Sequence, residues 1–335
     1  PSRVPRYTYE QLEEESELIA RGMMEVGVGL GVRSIFMVQP GFKFFALAFG
    51  LLKAGGVLVG VDPYIGRERM TRCIRDADAE AFIGVPLAHF ARRLAGWGKG
   101  SVKTSISTAR RTSHRSGEIS YTMLRALGQA STQSLPNVVA ETPAIIAFTS
   151  GSTGPPKGVV YTHGLLNAQV GVLRDCFGIE EGERDLVTFP HFAFFGPALG
   201  ATLVLANIDF SRPGLAIPSW LVRSIQAYEV TNMFGSPALL NRLGRYGAKR
   251  GITLPSLKRV VSAGAPVPGH VVQNVSGMLE GGAFFTPYGA TEALPVTCIT
   301  GAEILSETRA MSEDGHGVCV GKPVGGMEVL IIPVS

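Results

Sequence analysis

From Tyr9 to Val85, segments with helical spacing alternate with short apolar runs, and this alternation limits the fold more than any other feature of the chain. Tyr9–Val26 sets Leu12, Leu18, Ile19 and Met23 on one helical face and the acidic run Glu13-Glu14-Glu15 on the other. A strand at Ser34–Val38, a helix at Phe42–Lys53, a strand at Gly56–Val61, a helix around Glu68–Asp76 and a strand at Ala81–Val85 follow. Strands separated by helices return in the same direction, so the pattern predicts a parallel sheet covered on both faces. The rhythm resumes later, with strands expected at Asp185–Phe189, Ala201–Ala206, Thr231–Phe234 and Leu257–Ser262 and helices at Pro218–Tyr228 and Pro237–Tyr246. A chain of 335 residues is long enough for two such core-bearing α/β lobes. Lys99–Asn137 is polar and weakly periodic and reads as a variable connection.

Composition narrows the class. Charged residues make up only 17% of the chain against 45% hydrophobic ones, which suits a compact α/β enzyme with many buried strands. A net charge of +4 without a basic stripe argues against a nucleic-acid partner, and the cluster Arg110-Arg111 to His114-Arg115, set among Ser and Thr, reads as a solvated loop. Cys73, Cys176, Cys298 and Cys319 have neither CxxC spacing nor histidines at ligand spacing, so reduced thiols in a cytoplasmic compartment are expected. Phe42–Val61 is the most apolar stretch, but Lys43, Lys53 and its glycines make it a helix and a strand rather than a membrane span.

The chemistry is concentrated in the loop Thr149-Ser150-Gly151-Ser152-Thr153-Gly154-Pro155-Pro156-Lys157, which follows the strand-like run Ala144–Phe148. Glycines let backbone N–H groups turn toward an anion, Ser and Thr add neutral donors, and Lys157 adds a cation, which together make a phosphate cradle. It is not a Walker A loop, because Pro156 stands where that pattern needs glycine before the lysine, and the two prolines keep a helix from starting under the anion. A second motif, Tyr288-Gly289-Ala290-Thr291-Glu292, joins a hydroxyl and a carboxylate across a glycine turn, as a group touching phosphate and Mg²⁺ at once requires. Gly264-Ala265-Pro266 follows a strand, and its small residues leave backbone open to a flat ring. Phe189–Pro197 is aromatic and uncharged and holds His191; a packed core with a satisfied histidine and a pocket wall are both open readings of it.

These motifs resemble those of the adenylate-forming superfamily of acyl- and aryl-CoA synthetases, luciferases and adenylation domains. The resemblance implies two stacked Rossmann-like α/β lobes plus the start of a small β-barrel. The first lobe would span residues 30–185, the second 1–29 with 186–300, and the barrel segment 301–335, its strand beginning at Met327–Val334. It also implies that the C-terminal lid domain, with the ribose-binding Gly-Asp motif and catalytic lysine, is absent from this chain. Under it Thr149, Ser150, Ser152, Thr153 and Lys157 would hold the β- and γ-phosphates of ATP, Gly264, Ala265 and Pro266 the adenine, Tyr288 the adenine face, Thr291 the α-phosphate and Glu292 the Mg²⁺. Phe189–Pro197 would line the carboxylate pocket, and its lack of an aspartate points to an acyl rather than an aminoacyl group. Thr286–Val296, Phe234–Leu239, Ser262–Pro268 and Ala81–Phe90 look most similar to the β-lactone synthetases of bacterial olefin biosynthesis; Gly196 departs from the acid common at its position. The implied reaction activates a long-chain 2-alkyl-3-hydroxy acid and closes it to a β-lactone, with His191 as proton acceptor and other olefin-pathway enzymes as partners. A long-chain acyl-CoA ligase and a non-catalytic nucleotide-binding module remain the alternatives.

Overall fold

The computed structural model describes residues 5–61, 66–113, 117–148, 157–210 and 212–332. They form two units, residues 1–167 and 168–335, each built on one seven-stranded sheet among the described residues.

In the first unit the strands are β1 (Arg33–Met37), β2 (Val57–Gly60), β3 (Ala81–Gly84), β4 (Thr104–Ser107), β5 (Ile119–Ser120), β6 (Pro143–Phe148) and β7 (Gly158–Thr162), in the order β5-β4-β3-β1-β2-β6-β7. Every neighbouring pair is parallel except β6 with β7. The chain runs from β1 to β2 on one side and returns to β3 on the other, the reversal that opens a crevice at strand ends in doubly wound sheets. Helix α2 (Phe42–Lys53) is apolar nearly all round and is correspondingly buried at Phe44, Phe45, Ala46, Leu47, Ala48 and Leu51. Helix α3 (Arg67–Asp76) packs Met70 and Ile74 on Ile35, Val59 and Phe82 of the sheet. Helix α4 (Pro86–Ala95) starts on a proline and stops on Gly96 at φ 68°, a left-handed cap that glycine adopts without strain.

Helix α1 (Tyr9–Glu25) starts at a reciprocal cap between Thr8 and Gln11 and buries Ile19, Ala20 and Met23. It packs on α2 and on α5 (Tyr121–Ala130) within the first unit. Helix α1, whose residues the resemblance puts with the second lobe, packs in the first unit, where it finds the apolar surface that its stripe needs. Its acidic run is not wholly solvated: Glu15 accepts from the Tyr121 hydroxyl at 2.6 Å and pairs with Arg125 at 2.8 Å. Where α1 meets α5, backbone touches backbone: a Cβ on Gly128 would lie 1.8 Å from the Leu18 carbonyl oxygen, and one on Gly22 2.1 Å from that of Leu124.

Lys99–Asn137, expected as a loose connection, contains β4, β5 and α5. Its polarity misled because β4 (Thr-Ser-Ile-Ser) buries only Ile106 among its apolar side chains and is held by its parallel ladder to β3.

In the second unit the strands are β8 (Arg184–Val187), β9 (Thr202–Leu205), β10 (Asn232–Phe234), β11 (Arg259–Val261), β12 (Ala283–Ala290), β13 (Ala293–Thr300) and β14 (Lys322–Pro323), ordered β14-β13-β12-β11-β10-β8-β9. The run from β9 to β12 is parallel, and β12-β13-β14 is antiparallel. The C-terminal part of α6 (His163–Phe177), the one-turn helices α7 (Pro190–Ala193) and α8 (Phe195–Ala198), and helices α9 (Pro218–Tyr228), α10 (Pro237–Arg250) and α11 (Gly269–Ser276) complete it. Its core joins Leu186, Met233, Val260 and Phe284 of the sheet to Leu221, Ile225, Leu239, Leu243, Val271 and Val275 of α9–α11. Within residues 301–332, Gly301–Glu303, Ile304–Thr308 and Arg309–Glu313 are helical, opened by a capping box between Thr300 and Glu303, and Lys322–Pro323 adds the short edge strand β14. Met327–Ile332 makes no strand among the described residues, since an apolar run without a partner strand has no ladder to join. No described helix is long and apolar enough to cross a membrane.

Candidate functional site

The phosphate-type loop is fixed at both ends. Phe148 of β6 pairs with Gly158 of β7, and Lys157, exposed, stands immediately before β7. The residues between, with Thr149, Ser150, Gly151, Ser152, Thr153 and Gly154, lie outside the described residues. A strand rather than a helix follows the lysine, as the two prolines lead one to expect.

In the second unit, Tyr288–Glu292 is not a turn before a helix but the tip of the β12–β13 hairpin. Ala290 pairs with Ala293, leaving Thr291 and Glu292 as its two turn residues. The register shifts between Tyr288 and Ala290, and a Cβ on Gly289 between them would come within 2.5 Å of the Ala293 carbonyl oxygen, so glycine is what permits the bulge. Tyr288 is consequently lifted clear, 56% exposed, and the Glu292 carboxylate is exposed as well. Among the described residues no group of three His, Cys, Asp or Glu could hold a metal. An exposed carboxylate on a turn suits a Mg²⁺ that keeps water and phosphate oxygens as its other ligands, so the residues present fit that ion. Gly264 follows β11 at φ +89° with nothing near its Cβ position, and Ala265 and Pro266 are exposed beside it, a backbone shelf open to a flat ring. Ser262, buried at the start of this shelf, donates its N–H to Phe285 of β12 at 2.9 Å, tying shelf and hairpin to neighbouring strands.

Beneath the hairpin lies a cavity of about 80 Å³, several times the space a water molecule needs. Leu173 and Phe177 of α6, Phe192, Phe195, Phe234 and Leu199 form its apolar wall, and Pro287, Leu294 and Pro295 bring the hairpin to it. Phe192 lies 4.4 Å from Phe234 and 5.4 Å from Phe189 between ring centroids, so the aromatic segment is both core and pocket wall. Gly196 lines the cavity too, and a Cβ there would meet Leu203 at 2.4 Å. The backbone of His191 is in α7; its side chain is outside what the structure describes.

The cavity is not free of charge-bearing groups, as the uncharged Phe189–Pro197 segment alone would lead one to expect. Glu183 and Asp185, from β8 and the turn before it, and Asn232 of β10 line it as well. Burial raises Glu183, but Arg259, Thr231 and the Glu180 amide outweigh it and hold the carboxyl below the usual range. Asp185 accepts from the Asn232 amide at 2.6 Å, yet desolvation, helped by the Glu183 charge, pushes it up to about 7. The residue is only part-buried by area, because it borders the cavity. The sequence signal for this pair was a polar residue beside the apolar residues of each of two parallel strands, Asp185 before Leu186-Val187 and Asn232 before Met233-Phe234.

A raised carboxyl gives a definite pH sign. Between about 4 and about 7 the unfolded chain releases the Asp185 proton while the folded one keeps it, so this group makes stability fall as pH rises through that window. Asp185→Asn is expected to flatten the decline and to stabilise the protein by roughly 1–2 kcal/mol at pH 8, after allowing for screening by cavity water. Thermal melts of both proteins from pH 5 to pH 8 check this; parallel curves would refute it.

A family model described as AMP-binding enzyme matches residues 3–334. The chain is 46% identical over 331 residues to an olefin β-lactone synthetase of Stenotrophomonas maltophilia, covering 98% of this chain and 58% of that protein. It is 42% identical over 329 residues to an olefin β-lactone synthetase of Xanthomonas campestris, again covering 98% and 58%. The chain thus spans little more than half the length of these relatives. Among solved structures, the amide bond synthetase McbA of Marinactinospora thermotolerans superposes with a TM-score of 0.75 at 23% identity, over 95% of this chain and 60% of that one. The N-terminal domain of FACL13 from Mycobacterium tuberculosis gives 0.73 at 19% identity, over 91% and 74%. These two likenesses bear on the fold alone, the α/β architecture expected from the sequence.

Proposed function

The chain belongs to the AMP-binding enzyme family, and from that premise we propose that it is the nucleotide- and acyl-binding part of an ATP-dependent ligase. The ligase activates the carboxylate of a long-chain 2-alkyl-3-hydroxy acid and closes it to a β-lactone. One observation carries the reading beyond nucleotide binding: the hairpin that presents Tyr288, Thr291 and Glu292 also supplies Pro287, Leu294 and Pro295 to an aromatic-lined cavity. A phosphate-directed turn and an apolar pocket on one rigid hairpin suit a substrate with a carboxylate at one end and an alkyl chain at the other. The two olefin β-lactone synthetases at 46% and 42% identity support the choice of product.

ATP is here a substrate. The carboxylate oxygen attacks the α-phosphorus in line, its bond to the bridging oxygen breaks, and pyrophosphate leaves. Thr149, Ser150, Ser152 and Thr153, with the amides of Gly151 and Gly154 and the Lys157 ammonium, hold the charge that grows on the departing oxygens. Thr291 orients the α-phosphate, and Tyr288 with Gly264, Ala265 and Pro266 sandwiches the adenine. Glu292 would ligate Mg²⁺, which supplies Lewis-acid charge on the phosphates. The substrate's own β-hydroxyl then attacks the acyl carbonyl, the acyl–phosphate bond breaks, and AMP leaves; His191 accepts the hydroxyl proton. The ring is strained, so the pocket must hold hydroxyl and carbonyl in near-attack geometry.

With the full-length protein, ATP, Mg²⁺ and a long-chain 2-alkyl-3-hydroxy acid without any thiol, β-lactone, AMP and pyrophosphate are expected in equal amounts. AMP release without lactone, and a thioester once CoA is added, would instead identify an acyl-CoA ligase. ATP binding with no turnover of any acid would identify a nucleotide-binding module.

A further inference from the structure

Two of the four cysteines, far apart in sequence, meet in the second unit. Helix α6 is held to the β12–β13 hairpin at two points. The Gln169 side-chain amide donates to the Leu294 carbonyl at 3.2 Å, and the Phe177 ring meets Phe285 edge-on at 5.6 Å, with Phe285 paired across the hairpin to Thr300. Between these anchors the helix presents Cys176 and the strand presents Cys298. From Gln169 to Cys176 the helix advances about 10 Å. From Leu294 to Cys298, same-face positions of the strand, the advance is about 13 Å. The anchors therefore bracket both cysteines, and each thiol shifts the other's proton affinity through a side-chain hydrogen bond. Both cysteines are only part-buried and neither is in a disulfide, whereas Cys73 is fully buried in the other unit and Cys319 is exposed.

We propose that Cys176 and Cys298 form a reversible dithiol site that small disulfides of the glutathione type oxidise to an intramolecular cross-link between α6 and β13. The thiols differ in a way that assigns their order. The hydrogen bond from Cys298 stabilises a Cys176 thiolate and lowers that thiol against the opposing effect of burial; Cys298, whose proton is engaged and which is also desolvated, is raised. Cys176 is the attacking sulfur. Its thiolate displaces one thiolate from the small disulfide, breaking that S–S bond and leaving a mixed disulfide on Cys176. Cys298 then gives up its proton to solvent, attacks the Cys176 sulfur and expels the second thiolate. Two electrons pass from the protein to the oxidant, one protein S–S bond forms and two small thiols leave.

The cross-link has a structural consequence at the cavity. Leu173 and Phe177 on α6 and Pro287, Leu294 and Pro295 on the hairpin are walls of the same space, and Cys298 pairs across the hairpin with Pro287. Oxidation fastens one wall to the other and suppresses local opening of that pair of elements. The chemistry of the thiols stands whatever acid the protein activates.

The full-length protein is incubated with glutathione disulfide, quenched with acid, alkylated and mapped by mass spectrometry. The Cys176 and Cys298 peptides are expected to be joined and to separate on reduction with dithiothreitol. In Cys298→Ser, modification is expected to stop at a glutathione adduct on Cys176; in Cys176→Ser, Cys298 is expected to alkylate much as before oxidation. Hydrogen exchange over 169–177 and 293–300 is expected to slow on oxidation of the wild-type protein and not of Cys298→Ser. Recovery of both thiols as free alkylated cysteines after Cys319 has been fully modified would overturn the proposal. So would a cross-link that pairs either of them with Cys73 or Cys319. Unchanged exchange in the cross-linked protein would overturn the clamp on the cavity. The wild-type comparison needs no variant, so a variant that fails to fold leaves the test intact.

Discussion

Thr291→Ala combined with Glu292→Ala is expected to lower carboxylate-dependent ATP–pyrophosphate exchange at least about 100-fold, the scale of losing donors aimed at charge that develops in a transition state. Both residues are the turn of the β12–β13 hairpin, and the strands on either side are held by the ladder from Phe285–Thr300 to Ala290–Ala293. Removing two turn side chains leaves that ladder and the buried Phe284 and Ile299 beneath it untouched, so the melting temperature is expected to change little. The loss should fall on kcat and on Mg²⁺ dependence more than on binding of the acid, because the apolar cavity is lined by other residues. Exchange kinetics with a melt on the same preparation make the distinction. Undiminished exchange in a folded double variant would remove the hairpin from the nucleotide site.

Gly128→Val is expected to have the largest effect on stability, a loss of about 3 kcal/mol or more, at the upper end of overpacking. A Cβ at this position would sit 1.8 Å from the Leu18 carbonyl oxygen and within 3.0 Å of the Gly22 nitrogen, both backbone atoms of α1 that cannot rotate away. The helices must separate, and separation strips the α1–α5 contact and strains the Glu15 pairs to Tyr121 and Arg125. Desolvation and the Glu15 carboxylate hold the Tyr121 hydroxyl strongly in its protonated form, so breaking that bond strands a buried donor. Denaturant unfolding measures the loss. The surface change Gln129→Ala, one residue along the same helix, serves as the control and should be nearly neutral. A Gly128→Val protein as stable as the wild type would show that the two helices do not pack backbone to backbone.

Much of this architecture is legible along the chain because it is local. Helix α2 occupies Phe42–Lys53 and α9 Pro218–Tyr228, the bounds read from periodicity and from a starting proline. The phosphate-type loop, the Tyr288–Glu292 motif and the Gly264–Pro266 turn are legible for a related reason: each joins the required residue types within a few positions, so spacing alone carries the chemistry. What escapes are elements whose stability comes from partners. Strand β4 is a polar sequence held by β3, and α1 joins the first unit through contacts that no pattern within its own residues specifies. The apolar run Met327–Ile332, conversely, has a strand's composition and no ladder among the described residues.

The same division holds for the chemistry. The sequence by itself determines the α/β class and the family and marks residue types suited to phosphate, since these rest on short-range patterns. Tertiary structure decides which distant residues share an environment. It sets Asp185 and Asn232 from two parallel strands at one apolar cavity, and desolvation there raises a carboxyl that would be ionised in water. It also brings the thiols of Cys176 and Cys298 together from a helix and a strand, where sequence spacing gave them no relation. Solvation and contact depend on distances in space, and chain folding alone sets those between residues far apart in sequence.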